Sequence, residues 1–146
     1  MSDERTLLLA YILERIDPEW DGTYVRSVGP ETPGESTALV RFTNYRAYMF
    51  GSPHDEAFSG HPLAARGLTP YSAVEVHHSS WIRILERMNA VHPNHRPELF
   101  KDYRHFIFAF HDSTFECVAR NFAVTVYEAT MASLLPEMQK SLGWSA

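Results

Sequence analysis

Between Arg104 and Phe110 a phenylalanine stands at every second position: Phe106, Phe108 and Phe110 alternate with His105, Ile107 and Ala109. A period of two marks a strand, because successive side chains point to opposite faces of a sheet. A helix turns each residue about 100° from the last and would scatter these three rings around its circumference. The chain is therefore expected to hold a β-sheet. Residues 114–119 read as a return strand after an Asp112-Ser113 turn. Residues 122–127 read as a third strand after Arg120-Asn121, where asparagine tolerates positive φ. The expectation is a three-stranded antiparallel meander in the C-terminal half.

Turn placement sets the register. With Asp112-Ser113 as a two-residue turn, His111 pairs with Thr114, Phe110 with Phe115 and Phe108 with Cys117; with Arg120-Asn121 as the next, Cys117 pairs with Val124. One face then carries Phe106, Phe108, Phe110, Phe115, Cys117, Ala119, Phe122, Val124 and Val126, and is core. The other carries His105, Ile107, Ala109, His111, Thr114, Glu116, Val118, Ala123, Thr125 and Tyr127. Its polar tips among small apolar residues suit a solvated surface or the floor of a cleft.

The remaining pattern is mixed. Ser2 and Asp3 are placed to cap a helix whose stripe is Leu9, Ile12, Leu13 and Ile16, ended at Asp17-Pro18. A short strand is expected over 23–28. Residues 37–50 are rich in β-formers and break near Asn44-Tyr45. Residues 51–70 have no period and read as a long irregular loop. A strand over 72–76 precedes a helix capped by Ser79 or Ser80, with Trp81, Ile84, Leu85 and Met88 as its buried stripe. A final stripe of Met131, Leu134, Leu135, Met138 and Leu142 is interrupted at Pro136, which implies a kink or two short helices. The expected fold is α+β: one domain over 1–146, an antiparallel sheet including the C-terminal meander, and amphipathic helices on one face.

Composition narrows the function classes. Hydrophobic residues make up 45% and charged residues 21% of 146, the range of globular chains. A single cysteine excludes an internal disulfide and suggests a reducing, cytoplasmic setting. The N-terminus lacks the basic start of a signal peptide, and no apolar run approaches the roughly 18 residues of a membrane span. The net charge of −5 argues against nucleic acid or an anionic membrane as partner. The chain is histidine-rich; protonating all eight would carry it from −5 to +3.

Several residues invite chemistry. Cys117 lies near a His-Asp pair, yet its register buries it among phenylalanines, where a thiol is a small hydrophobe. His111-Asp112-Ser113 holds the residue types of a serine triad, but three consecutive residues do not converge. Glu116 falls diagonally across the hairpin from His111, so the two are the candidate acid–base pair; a structural cross-strand pair would look the same. His54 and His61 in the long loop, with His92 and His95 around Pro93, are candidate ligands for zinc or another divalent transition metal. No H-E-x-x-H or C-x-x-C spacing supports them, and no cofactor is expected. Arg66, in a glycine-bounded loop, is suited to clamp an anion or to hold loop carbonyls. His61, Arg66, His111, Glu116 and Tyr127 form the expected ligand-binding set, where the loop meets the polar face. The leading expectation is a small binding or accessory protein for a protein or small-molecule ligand. The alternatives are an acid–base or metal-assisted enzyme using His111 and Glu116, and a homodimer that buries the polar face.

Overall fold

A computed structural model describes residues 1–15, 18–23 and 26–144. It contains two antiparallel sheets and a few helices, in two compact units: Met1–Phe42 with Phe122–Ala146, and Thr43–Asn121.

The first unit holds strands β1 (Thr6–Ile12), β2 (Thr37–Thr43) and β7 (Asn121–Tyr127) in the order β1-β2-β7. The expected N-terminal helix is thus a strand. Leu7, Leu8 and Leu9 are buried in succession, as in a strand covered on both faces, and such a run also matches helical spacing. Asp3 does not cap a helix. Its Oδ1 accepts the Arg5 and Thr6 N–H groups at 2.6 Å and closes the turn into β1. The expected helix end at Ile16 and Asp17, and Tyr24 and Val25 of the expected 23–28 strand, lie outside the described residues; 26–28 belong to no strand. At the C-terminus a 3-10 turn (Ala132–Leu134) leads into helix α2 (Leu135–Ser141). Pro136 sits in the first turn of α2, where its missing N–H has no intrahelical acceptor to lose, so the stripe forms two short helices. Leu134, Met138 and Leu142 pack with Leu8 and Leu39 as this unit's core.

The second unit holds β3 (Ala47–Gly51), β4 (Ala73–Val76), β5 (Arg104–Ala109) and β6 (Thr114–Ala119), in the order β3-β6-β5-β4. Asn44, at φ +52°, marks the expected break between β2 and β3. The meander is corrected. β5 and β6 form its hairpin, but β6 takes β3 as its second neighbour, while β7 pairs with β2 in the other sheet. Only Arg120 separates β6 from β7, too little for a two-residue hairpin turn. Phe122, Val124 and Val126, expected in the core, are exposed.

The β5–β6 register is also corrected. Ala109, not His111, faces Thr114, and a four-residue connection closes with Phe110 N–H donating to Ser113 O at 2.8 Å. The shift is two residues, which preserves which face each side chain occupies and changes every cross-strand partner. Phe106, Phe108, Phe115 and Cys117 still share one buried face.

The opposite face is buried too. The 51–70 segment covers it with two short 3-10 stretches, Asp55–Gly60 and Ala64–Arg66, and its Phe58, Leu63 and Leu68 pack with Ile107, Ala109 and Val76. Helix α1 (Ser80–Asn89) starts on the same side, where Trp81 meets His105 edge-on at 5.1 Å. Its orientation differs from the expected stripe, since Ile84 and Met88 are exposed. Polar bonds turn the helix: Glu86 and Asn89 each hold His95, at 3.0 Å. Among the described residues no helix is long and apolar enough to cross a membrane.

Candidate active site

The two-residue shift decides which histidine meets Glu116. Glu116 faces Ile107 across the hairpin, so its diagonal neighbours on β5 are His105 and Ala109. His105 Nε2 lies 2.8 Å from Glu116 Oε2. The second oxygen, Oε1, lies 3.1 Å from His61 Nε2, delivered from above by the 51–70 segment. Both imidazoles are buried.

The hydrogen-bond network fixes the proton positions. Leu63 N–H donates to His61 Nδ1 at 3.1 Å, so this nitrogen presents a lone pair and the ring proton sits on Nε2, donating to Glu116. His105 Nε2–H likewise donates to Glu116, and in the neutral imidazole Nδ1 then accepts from Ser79 Oγ–H at 2.9 Å. Ser79 is the N-cap of α1, and its Oγ accepts the Ile82 N–H at 3.3 Å. The result is a continuous relay, Ser79, His105, Glu116, His61, buried except at the partly exposed Glu116. Burial alone would raise the Glu116 carboxyl, but the bonds from His105 and then His61 outweigh it and hold the group below its ordinary 4.5.

Ser79 and His105 were absent from the candidate set. His105 shares the Glu116 face in either register, but the two-residue turn would have put Ala109 opposite Glu116. Ser79 carried only a capping signal. Its position follows from β4 and α1 being joined by a short turn in which His78 adopts φ +56°.

His111 and Glu116, expected as a pair, belong to separate sets. The His111 side chain is 69% exposed at the hairpin end, with Nδ1 2.7 Å from Asp112 Oδ1 and Nε2 3.7 Å from Asp55 Oδ2. Tyr71 O–H donates to the same Asp55 oxygen at 2.5 Å and its ring lies 6.2 Å from the imidazole. The hydrogen bond to Asp112, then the Asp55 charge, raise the His111 pKa. The Tyr71 bond lowers that of Asp55.

The other candidates disperse. Arg66 is exposed, not turned inward. Tyr127 packs against the core of the first unit. His54 lies beside Asp55 at 3.9 Å, His92 accepts the Asn94 N–H, and His95 is held by Glu86 and Asn89. Among the described residues no three His, Cys, Asp or Glu side chains are placed to hold a metal ion. Cys117 is buried opposite Phe106 and Tyr48, and burial pushes its thiol up to about 12, which suits a packing role.

No family model matches this chain, and neither a curated protein nor a solved structure is found to match it.

Proposed function

We propose that the protein is a small esterase-type hydrolase, with Ser79 as nucleophile, His105 as general base and Glu116 as the carboxylate that orients His105. The observation that carries this reading is the unbroken chain from Ser79 Oγ to His105 (2.9 Å) and from His105 to Glu116 (2.8 Å). The sequence alone favours a binding or accessory protein, with an enzyme using His111 and Glu116 as the alternative; in the triad proposed here the imidazole role passes from His111 to His105, which the observed register brings to Glu116.

The roles are those of a serine triad, which is recognised by geometry and not by order in the chain. Ser79 Oγ attacks the ester carbonyl carbon, and its proton passes to His105 Nδ1. The carbonyl π electrons move to oxygen. Their return expels the alcohol, which takes the proton from His105. Water then repeats the sequence on the acyl-serine and releases the acid. Ionised Glu116 stabilises the imidazolium formed in each half, and His61 keeps the carboxylate aimed. The N–H groups of Ser80 and Trp81 lie in the first turn of α1, have no acceptor within the helix, and are the donors available to the oxyanion.

The test is labelling with an alkyl fluorophosphonate, followed by peptide mapping, beside hydrolysis of p-nitrophenyl acetate. The expected result is one adduct at Ser79, and a loss of hydrolysis by at least about a hundredfold in Ser79→Ala and in His105→Gln. Thermal melts separate this from the loss of the cap, worth about 0.5–2 kcal/mol. Absence of an adduct on the folded protein would overturn the reading.

A second reading has its own observation. Ser79 is only 6% exposed, while Phe50 and Tyr71 are among the most exposed large side chains, at the end of the sheet that carries His111. A binding or accessory protein would use that end for a protein or small-molecule ligand, and the relay would serve only to pin the 51–70 segment. Failure of the fluorophosphonate to react selects it.

A further inference from the structure

We infer that β7 is a self-association edge, and that its partner is β7 of a second copy in antiparallel register about a twofold axis at Val124. β7 ends the β1-β2-β7 sheet, and among the described residues no strand pairs with its outer edge. Such an edge carries a row of backbone donors and acceptors that another strand satisfies best. Exposed strands are usually protected by a charge, a proline or a bulge. β7, Asn-Phe-Ala-Val-Thr-Val-Tyr, has no charged residue and no proline over 121–127. It also leaves large apolar groups in water: Val124 is 48% and Val126 54% exposed.

The sequence of β7 is self-complementary when it is read against its own reverse. With Val124 on the axis, Val124 faces Val124 of the second copy, Phe122 faces Val126, Ala123 faces Thr125 and Asn121 faces Tyr127. The apolar row thus continues unbroken across the axis, and no like charges oppose each other. One residue further out, Arg120 falls opposite Glu128; each is already engaged within its own chain, Arg120 over the Tyr103 ring and Glu128 with Arg15 and Ser36, so the flanks set no like charges against each other and the apolar row carries the pairing. A chain of net charge −5 repels its copy, and this strip is where that repulsion is locally absent. The other strands that end a sheet suit self-pairing less: β1 already carries the Ser2–Leu7 bridge on its edge, β4 has four residues and the charged Glu75, and β3 offers a shorter strip. β3 has five residues, and the rings of Tyr48 and Phe50 rest on Phe115 within their own sheet.

The test is the mass of the full chain by sedimentation equilibrium at tens of micromolar, with two variants. Wild type is expected near twice the 16.7 kDa of one chain. Val124→Lys, which sets two like charges on the axis, is expected at the mass of one chain with its circular dichroism unchanged. Val124→Cys, mildly oxidised, is expected to give a 124–124 disulfide by peptide mapping, against the slow background of buried Cys117. This second variant keeps the test open if the lysine impairs folding. A wild type that stays a single chain overturns the inference. So does a dimer that survives Val124→Lys and forms no 124–124 link.

Discussion

Glu116 concentrates the electrostatics of its unit in one residue. Its burial opposes ionisation, and the hydrogen bonds from His105 and His61 more than offset that penalty, so the folded carboxyl titrates below 4.5. An unfolded chain releases both donors. The group therefore contributes stability that is fully present above about 4.5 and is lost as pH falls through the lower folded value. Glu116→Gln should remove that contribution. Its amide also turns one N–H group toward an imidazole N–H, a mismatch costing about 1–3 kcal/mol at neutral pH. Urea midpoints should thus separate wild type from Glu116→Gln at pH 7 and converge on the acid side of 4.5. Other carboxyls titrate in the same range, so the readout is the difference between the two proteins. A difference that stays constant with acid would mean that Glu116 is not held ionised by the two histidines.

At the scale of elements, the 51–70 segment depends on one residue more than its irregular backbone suggests. His61 accepts the Leu63 N–H, donates to Glu116 and stacks on Phe58 at 5.5 Å. His61→Ala deletes all three contacts, two of them hydrogen bonds in a buried setting, at about 1–3 kcal/mol for each group left unsatisfied. Exposed Arg66 offers trypsin a site within the segment, and cleavage there follows the population of the opened form. Cutting after Arg66 should accelerate by about tenfold for each 1.4 kcal/mol lost, while the exposed His54→Ala leaves the rate unchanged. Equal rates for both variants would show that the segment is held by its apolar residues alone. This segment also shows how far the sequence could be read. Its lack of period, and the alternation at Phe106 and Phe108, follow from local chemistry and appear in the structure. Face assignment on β5 and β6 survived a wrong turn length because a shift of two keeps every side chain on its side. The pairing did not survive, since Phe110-His111-Asp112-Ser113 suits a two-residue or a four-residue turn. β1 was obscured because three consecutive leucines satisfy strand and helix alike. The partner of β7 is about 80 residues away in sequence, beyond any local signal. α1 turned away from its apolar stripe because Glu86 and Asn89 found His95, a tertiary contact that periodicity does not encode.

The chain threads its two units in a way that ties their stabilities together. The first unit is discontinuous, and residues 43–121 lie between its halves. Within it, Phe42 and Phe122 bring the two halves together, with ring centroids 6.4 Å apart. If the second unit unfolded alone, the first would have to hold closed a flexible loop of about 80 residues, a closure entropy of about 4 kcal/mol. That is a large fraction of the roughly 5–15 kcal/mol that stabilises an ordinary domain. Loss of the second unit should therefore bring down the first, and both should report one urea transition. Trp81 lies in the second unit, and Trp20 and Trp144 in the first. Two single-tryptophan proteins separate the signals: one keeping Trp81, with Trp20→Phe and Trp144→Phe, the other keeping Trp144, with Trp20→Phe and Trp81→Phe. Their midpoints should coincide. Adding Ile107→Ala, at a fully buried position of the second unit, should cost about 2–5 kcal/mol and shift both midpoints together. A Trp144 signal unmoved by Ile107→Ala would show that the first unit bears the closure on its own, and that the two units melt independently.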